Sequence, residues 1–246
     1  MINLNEISTK PPKGINKNAL KKEAEKNAKR LGELQAVLRA QKKYAVLVIF
    51  QGMDASGKDG AVKNVFKDCL HDGVNVYSFK KPTEEEFAHD FLWRVHKKCP
   101  AKGEIQIFNR SHYEDVLIQR VHGWISEERV AQRMAAINAF EELLAFDNNT
   151  IILKFFLHLS KDQQKIELEQ RKTESDKFWK HNDGDWKERE HWEEYMRCYE
   201  DVLNGSKIPW TIVPVDERWY RNVIVSQTIV DALEKLNMTY PELETA

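Results

Sequence analysis

The chain has 246 residues, with 38 Lys plus Arg against 39 Asp plus Glu and a formal net charge of -1, a length that suits one large domain. That balance excludes a globally basic nucleic-acid binder held by counterion release, while 41% hydrophobic residues are enough for a real core. No apolar run approaches the roughly 18–20 residues of a bilayer span, the start from Met1 to Lys13 is polar, and three scattered cysteines (Cys69, Cys99, Cys198) make no disulfide framework. The expectation is a cytoplasmic protein with neither membrane nor nucleic-acid partners.

In chain order, Lys17 to Lys43 predicts a helix, with Leu20, Ala24, Leu31, Leu34, Val37 and Leu38 forming an apolar stripe among Lys and Glu. Tyr44 to Phe50 is then a continuous, β-branched run of the kind buried on both faces of a parallel sheet. Val74 to Phe79, Ile105 to Phe108, Ile151 to Leu157 and Trp210 to Val215 read as four more strands. Helical patterns alternate with them at Ala61–Leu70, Glu84–Lys97, Glu127–Phe146, Asp162–Arg171, Asp185–Leu203 and Tyr220–Leu236. Strands alternating with helices make βαβ units, so the predicted class is α/β: a five-stranded parallel sheet in a three-layer α/β/α arrangement. The stretch from Lys161 to Asp201 is far longer than a crossover needs, more than half charged and rich in aromatics. It is expected to be a helical excursion, either a solvated hairpin or a mobile lid that brings Lys and Arg onto an anion. The domain expectation is one unit over 1–246, with a helical extension over about 1–43 and a lid over about 161–201.

After the first strand comes Gly52-Met53-Asp54-Ala55-Ser56-Gly57-Lys58-Asp59-Gly60, holding three of the chain's ten glycines. The G-x-x-x-x-G-K spacing lets backbone N–H groups curl around a phosphate at a helix N-terminus while the lysine reaches the outer phosphates. Strand before and helix after give the required context. Asp59 stands where Ser or Thr would normally ligate Mg²⁺; another hard oxygen must replace that hydroxyl, and Asp54 inside the loop is the obvious substitute.

The third strand runs into Asn109-Arg110-Ser111-His112-Tyr113-Glu114-Asp115-Val116. Ligands gather at the carboxyl ends of strands in doubly wound sheets, so this cluster should face the loop after the first strand. Arg110 suits bridging of phosphate oxygens or stabilisation of the transferring group. Glu114 and Asp115 diverge on a helix, so one of the two is expected to ligate metal, and Asp115 is favoured. Ser111 can cap the helix with Glu114 at its third position, and His112 reads as a structural histidine. Lys80, Lys81, Arg94, Lys97, Lys98 and Arg120 flank the loop, and Arg171, Lys172, Lys177, Lys180 and Arg189 lie in the excursion; together they can line a track for a long anion.

The blocks GMDASGKDG, SFKKPTEEEFAHDFLWRVHKKCP, IFNRSHYEDVLIQRVH, DKFWKHNDGDWKEREHWEEYMRCYEDVL and IPWTIVPVDERWY resemble the polyphosphate kinase 2 family, in order, over about residues 30 to 238. The resemblance implies a P-loop kinase fold of the thymidylate kinase type with a helical lid. It implies Mg²⁺-dependent, reversible phosphoryl transfer between inorganic polyphosphate and ADP (giving ATP), AMP being a second acceptor and Mn²⁺ a second metal. By position it implies Asp54, Lys58, Arg110 and Asp115 as catalytic, with Asp54 and Asp115 holding metal. Gly52, Ala55, Ser56, Gly57, Asp59 and Gly60 form the phosphate loop. Lys80, Arg94 and Arg120 match polyphosphate-channel positions, and Arg171, Lys177, Lys180 and Arg189 match basic lid positions. Asp176, where a proline is common, and Arg218, where a lysine is common, depart from the pattern. The aromatic lid and N-terminal helix offer faces for a homo-oligomer. The alternative is an ATP-dependent kinase of a nucleoside or other small molecule, which needs an apolar acceptor pocket and a base such as His112 or Glu114.

Overall fold

The computed structural model describes residues 1–243. A helix, α1 (Lys17–Gln41), leads into β1 (Ala45–Gln51), α2 (Lys58–Val65) and β2 (Val74–Ser78). Two single-turn helices, α3 (Glu84–Phe87) and α4 (Trp93–His96), precede β3 (Ile105–Asn109). A 3₁₀ turn over His112–Val116, α5 (Ile118–Val121) and α6 (Glu127–Asp147) lead to β4 (Thr150–His158). The chain then leaves the sheet through α7 (Lys161–Thr173), a 3₁₀ turn over Ser175–Lys180, α8 (Asp183–Glu190) and α9 (Trp192–Gly205), returning as β5 (Trp210–Pro214) and α10 (Arg218–Glu234).

The five strands are all parallel, in the order β2-β3-β1-β4-β5. β1 is central and every one of its residues is buried, which is why Ala45 to Phe50 is apolar without alternation. Successive side chains still point to opposite faces. Leu47 and Ile49 join Phe108, Phe156 and Tyr199 in one core layer, while Val46, Val48 and Phe50 join Leu31, Ala61 and Val225 in the other. Each such burial is worth about 1.5–3 kcal/mol, so β1 is the least movable part of the sheet, and the loop leaving its carboxyl end starts from a fixed point.

The five expected strands are present within one or two residues of their predicted ends. The helix expected over Glu84–Lys97 is two separate turns. Thr83 and Glu86 close a capping box on the first, and the Asp90 carboxylate accepts from the N–H groups of Leu92 and Trp93 to begin the second. The helix expected over Asp185–Leu203 starts at Asp183, capped by the Asn182 side chain, and is interrupted at His191. Ahead of α1, the N-terminal segment is tied across the ends of β4 and β5: the Ile7 carbonyl meets His158 at 3.1 Å, and the Thr9 hydroxyl donates to Asp216 at 2.8 Å. No helix among the described residues is long and apolar enough to cross a membrane, and the three cysteines are free thiols.

Candidate functional site

The loop between β1 and α2 lies at the carboxyl end of the central strand, where the chain's path through the sheet diverges to either side. Its shape rests on positive backbone φ. Gly52 has φ 148° and sits so close to Leu157 that a Cβ there would lie 2.7 Å from the Leu157 carbonyl oxygen. Ala55 (φ 67°) and Arg110 (φ 64°) hold left-handed conformations that non-glycine residues rarely adopt, a cost met most often at ligand sites. The Lys58 ammonium is buried and folded back on its own loop, donating to the Gly52 carbonyl at 2.8 Å and the Met53 carbonyl at 3.2 Å. Burial, with Arg110 adding to it, lowers its pKa to about 8. One of the expected loop residues does other work: Asp59 accepts from the Asn109 amide at 2.6 Å and ties α2 to the end of β3. The buried Ser56 hydroxyl has no hydrogen-bond partner among the described residues.

Arg110 reaches across from the end of β3 and pairs with Asp54. Burial alone would raise the Asp54 carboxyl; Arg110 and then Lys58 outweigh it and hold the group below the usual carboxylate range. Asp54 and Arg110 form the partition between two cavities. The larger, about 660 Å³, is lined by eight Lys and Arg against four carboxylates, including Lys58, Lys80, Arg171, Lys177 and Lys180 together with Ala55, Gly57, Asp59 and Gly60. The smaller, about 200 Å³, holds Gly52, Asp54, Glu114, Asp185 and Glu188 with Tyr195 and Tyr199, and Arg110 is the only cation among the described residues that line it.

Five sequence expectations do not survive this geometry. Asp115 is turned away from the loop: its carboxylate takes the Gln119 amide at 2.6 Å and stands 3.5 Å from Arg94, and it is 3% exposed. The residue beside Asp54 is Glu114, whose carboxyl is raised by burial and by Asp54 and lowered by Arg110 and Lys58. Ser111 caps the turn through Tyr113 N–H, so the box expected with Glu114 does not form and that side chain is free to face the cavity. Arg94 is buried, donating to the Lys80 carbonyl at 2.8 Å and lying against Phe79, and it lines neither cavity. Arg120 is held by Glu127 (2.6 Å) and Asp201 (2.7 Å), bracing α5 against α6 and α9. Arg189 donates to the Lys161 carbonyl at 2.6 Å and to Gln164 at 3.0 Å, and Gln164 in turn donates to the Asp54 carbonyl at 3.0 Å. Arg189 therefore joins the lid to the phosphate loop without facing the cavity.

The turn carrying Arg110 and Glu114 is fixed from behind by a buried polar cluster. Lys154 on β4 donates to Glu141 at 2.6 Å and to the Tyr113 hydroxyl at 2.7 Å. Glu141 also takes the Tyr113 hydroxyl at 2.9 Å and meets His112 Nε2 at 3.2 Å. His112 is fully buried and cannot reach an acceptor in either cavity as a base. Sequence reasoning also missed Arg218 and Arg221, which line the larger cavity from the first turn of α10. Their place is set by contacts with residues far away in the chain, and the one local signal was Arg218, noted only as a departure from a family pattern.

Four carboxylates line the smaller cavity; Asp185 is paired with Arg171 and Glu188 is held by Tyr195 and His122, which leaves Asp54 and Glu114 as the candidate hard donors, and among the described residues no group of three or more His, Cys, Asp or Glu is placed to hold a metal. That donor set suits a cation that keeps its waters and shares phosphate oxygens, as Mg²⁺ does with one or two carboxylates.

A glycine-rich loop at the end of the central strand of a parallel sheet, with the basic excursion from α7 to α8 across from it, is the architecture of the P-loop kinase fold. The model of the polyphosphate kinase 2 (PPK2) family matches residues 14–241, and the chain belongs to that family. It is 46% identical over 221 residues to an AMP/ADP-polyphosphate phosphotransferase of Meiothermus ruber, an alignment covering 89% of this chain and 82% of the relative. It is 42% identical over 232 residues to an ADP-polyphosphate phosphotransferase of Rhodopseudomonas palustris, covering 88% and 80%. The crystal structure of polyphosphate kinase 2 from Arthrobacter aurescens superposes with a TM-score of 0.95 at 38% identity, covering all of this chain and 89% of that one.

Proposed function

We propose that the protein transfers phosphoryl groups reversibly between inorganic polyphosphate and ADP, with AMP as a second acceptor, and that it does so with Mg²⁺. The observation that carries this reading is the cationic cavity over the phosphate loop, which opens onto the Asp54–Arg110 partition in a chain of this family. Polyphosphate lies along the lysines and arginines, its terminal phosphates in the loop from Gly52 to Gly60. An oxygen of the acceptor's last phosphate attacks the terminal phosphorus in line; the new P–O bond forms as the bond to the shortened chain breaks. That oxygen is already anionic, so no base is required, and His112 is not available as one. Lys58 and Arg110 offset the charge on the transferring group, and closure of the lid over it excludes water. Asp54 and Glu114 would hold Mg²⁺, which when bound would supply further charge neutralisation. Incubation with polyphosphate, Mg²⁺ and either ADP or AMP, followed by nucleotide chromatography, should give ATP from ADP and ADP from AMP. No product from either acceptor, with ATP instead phosphorylating a nucleoside, would replace this reading by that of a small-molecule kinase.

A further inference from the structure

Arg221 is among the largest fully buried side chains in the protein, 2% exposed. Its Nη1 donates to the Gly57 carbonyl at 2.8 Å, while Nε and Nη2 share the Asn222 side-chain oxygen at 3.1 and 2.8 Å. A guanidinium carries five N–H donors, so two are left without a protein acceptor. Among the described residues it has no ion-pair partner. The carboxylate whose field it feels, Glu167, is already paired with Arg218, which itself adds a repelling charge. Burial lowers its pKa to about 10, and it still carries its proton at neutral pH.

A buried cation without a counter-charge is costly, and two further features make this one harder to excuse. Arg221 and Arg218 occupy the first turn of α10, which holds no acidic residue; cations there oppose the positive end of the helix dipole. The phosphate loop also keeps bare the space the guanidinium fills. A Cβ on Gly57 would lie 2.3 Å from Nη1, and one on Gly60 would lie 3.1 Å from Nη2. Charge, glycine spacing and two helix N-termini, those of α2 and α10, converge on one wall of the larger cavity.

We propose that the counter-charge of Arg221 is the substrate's phosphate chain, so that this residue is a phosphate-binding group of the transfer reaction and not a brace of the fold. The inference rests on the function proposed above and assigns that chain to polyphosphate, held between Arg221 and Lys58 across the loop. It has a consequence opposite in sign to that of a structural arginine. Removing the charge relieves the free protein and weakens its grip on the anion.

The test uses Arg221→Met and Arg221→Lys in the full chain, melted alone, with long-chain polyphosphate and with ADP, alongside steady-state kinetics. Arg221→Met should melt at or above the wild-type temperature when free, lose at least half of the polyphosphate-induced rise, and show a KM for polyphosphate at least tenfold higher. Arg221→Lys keeps the charge and should stay within about threefold of the wild-type KM. Loss of the ADP-induced rise in place of the polyphosphate one would keep the counter-charge and reassign it to the nucleotide. A methionine variant that fails to fold or melts several degrees lower, or that keeps both ligand-induced rises, overturns the inference. So does a lysine variant as impaired as methionine. Wild-type protein making ATP from polyphosphate and ADP beside any of these outcomes leaves the proposed function standing.

Discussion

A 3₁₀ turn rotates each residue by about 120° from the one before, so Glu114 and Asp115 leave the His112–Val116 turn in different directions. Glu114 enters the field of Asp54, Arg110 and Lys58, and Asp115 enters that of Arg94 and Arg133. Two chemically similar neighbours thus acquire separate duties, and substitution separates them. Glu114→Gln should lower kcat by about two to three orders of magnitude with little loss of stability, in line with removal of a group acting on transition-state charge. Asp115→Asn should instead lower unfolding free energy by about 1–3 kcal/mol, because it removes the charge opposite a buried Arg94. Urea titration and polyphosphate–ADP turnover, measured on both variants, check the pair. If Asp115→Asn lost turnover without losing stability, the metal position would return to Asp115. The choice between these residues was beyond sequence reasoning because it depends on the type of turn, and α and 3₁₀ turns share the same residue preferences at this length.

At the scale of elements, what was legible is what local chemistry decides. The strand at Ala45–Gln51 could be read because Ala45 to Phe50 is continuously apolar, and the phosphate loop because glycine spacing after a strand has few other uses. The break at Asp90 was legible in principle, since an Asp three residues ahead of a helical turn is a capping signal, but the apolar pattern of Glu84–Lys97 hid it. The fates of the arginines were not legible. Arg120 is bound to a residue 81 positions away and Arg221 to one 164 positions away, and no local pattern distinguishes a bracing arginine from a free one. Stability and kinetics make that distinction. Arg120→Met should cost about 1 kcal/mol, the range of a well-formed but partly exposed ion pair, and leave the KM for polyphosphate unchanged. Arg171 and Lys177 line the cavity from the lid, and replacing both with Met should slow turnover at least tenfold while the circular dichroism spectrum stays that of the wild type. A normal rate in the double variant would reduce the α7–α9 excursion to scaffold.

Across the whole molecule, a net charge of -1 coexists with a cavity lined by eight cations and four carboxylates, so the remaining surface is net acidic. Such segregation concentrates the positive field where a polyanion must lie and offers little to nucleic acid elsewhere. It also makes recognition depend on salt in a way that a single phosphate contact does not. Screening shortens the reach of the field from about 30 Å at 0.01 M salt to about 3 Å at 1 M, and each phosphate neutralised by a cation releases bound counterions from a long chain. Raising salt from about 50 to about 500 mM should therefore raise the KM for long-chain polyphosphate by tenfold or more, with kcat changing far less. Triphosphate, which spans only the loop and its nearest cations, should show a shallower slope on the same double-logarithmic plot. Arg218→Met, at a half-exposed site beside Glu167, should flatten the slope for the long chain and leave that for triphosphate as it was. Equal slopes for the two donors in the wild-type protein would mean that only the cations at the phosphate loop meet the substrate, and that the basic wall from Lys80 to Arg218 serves some other end.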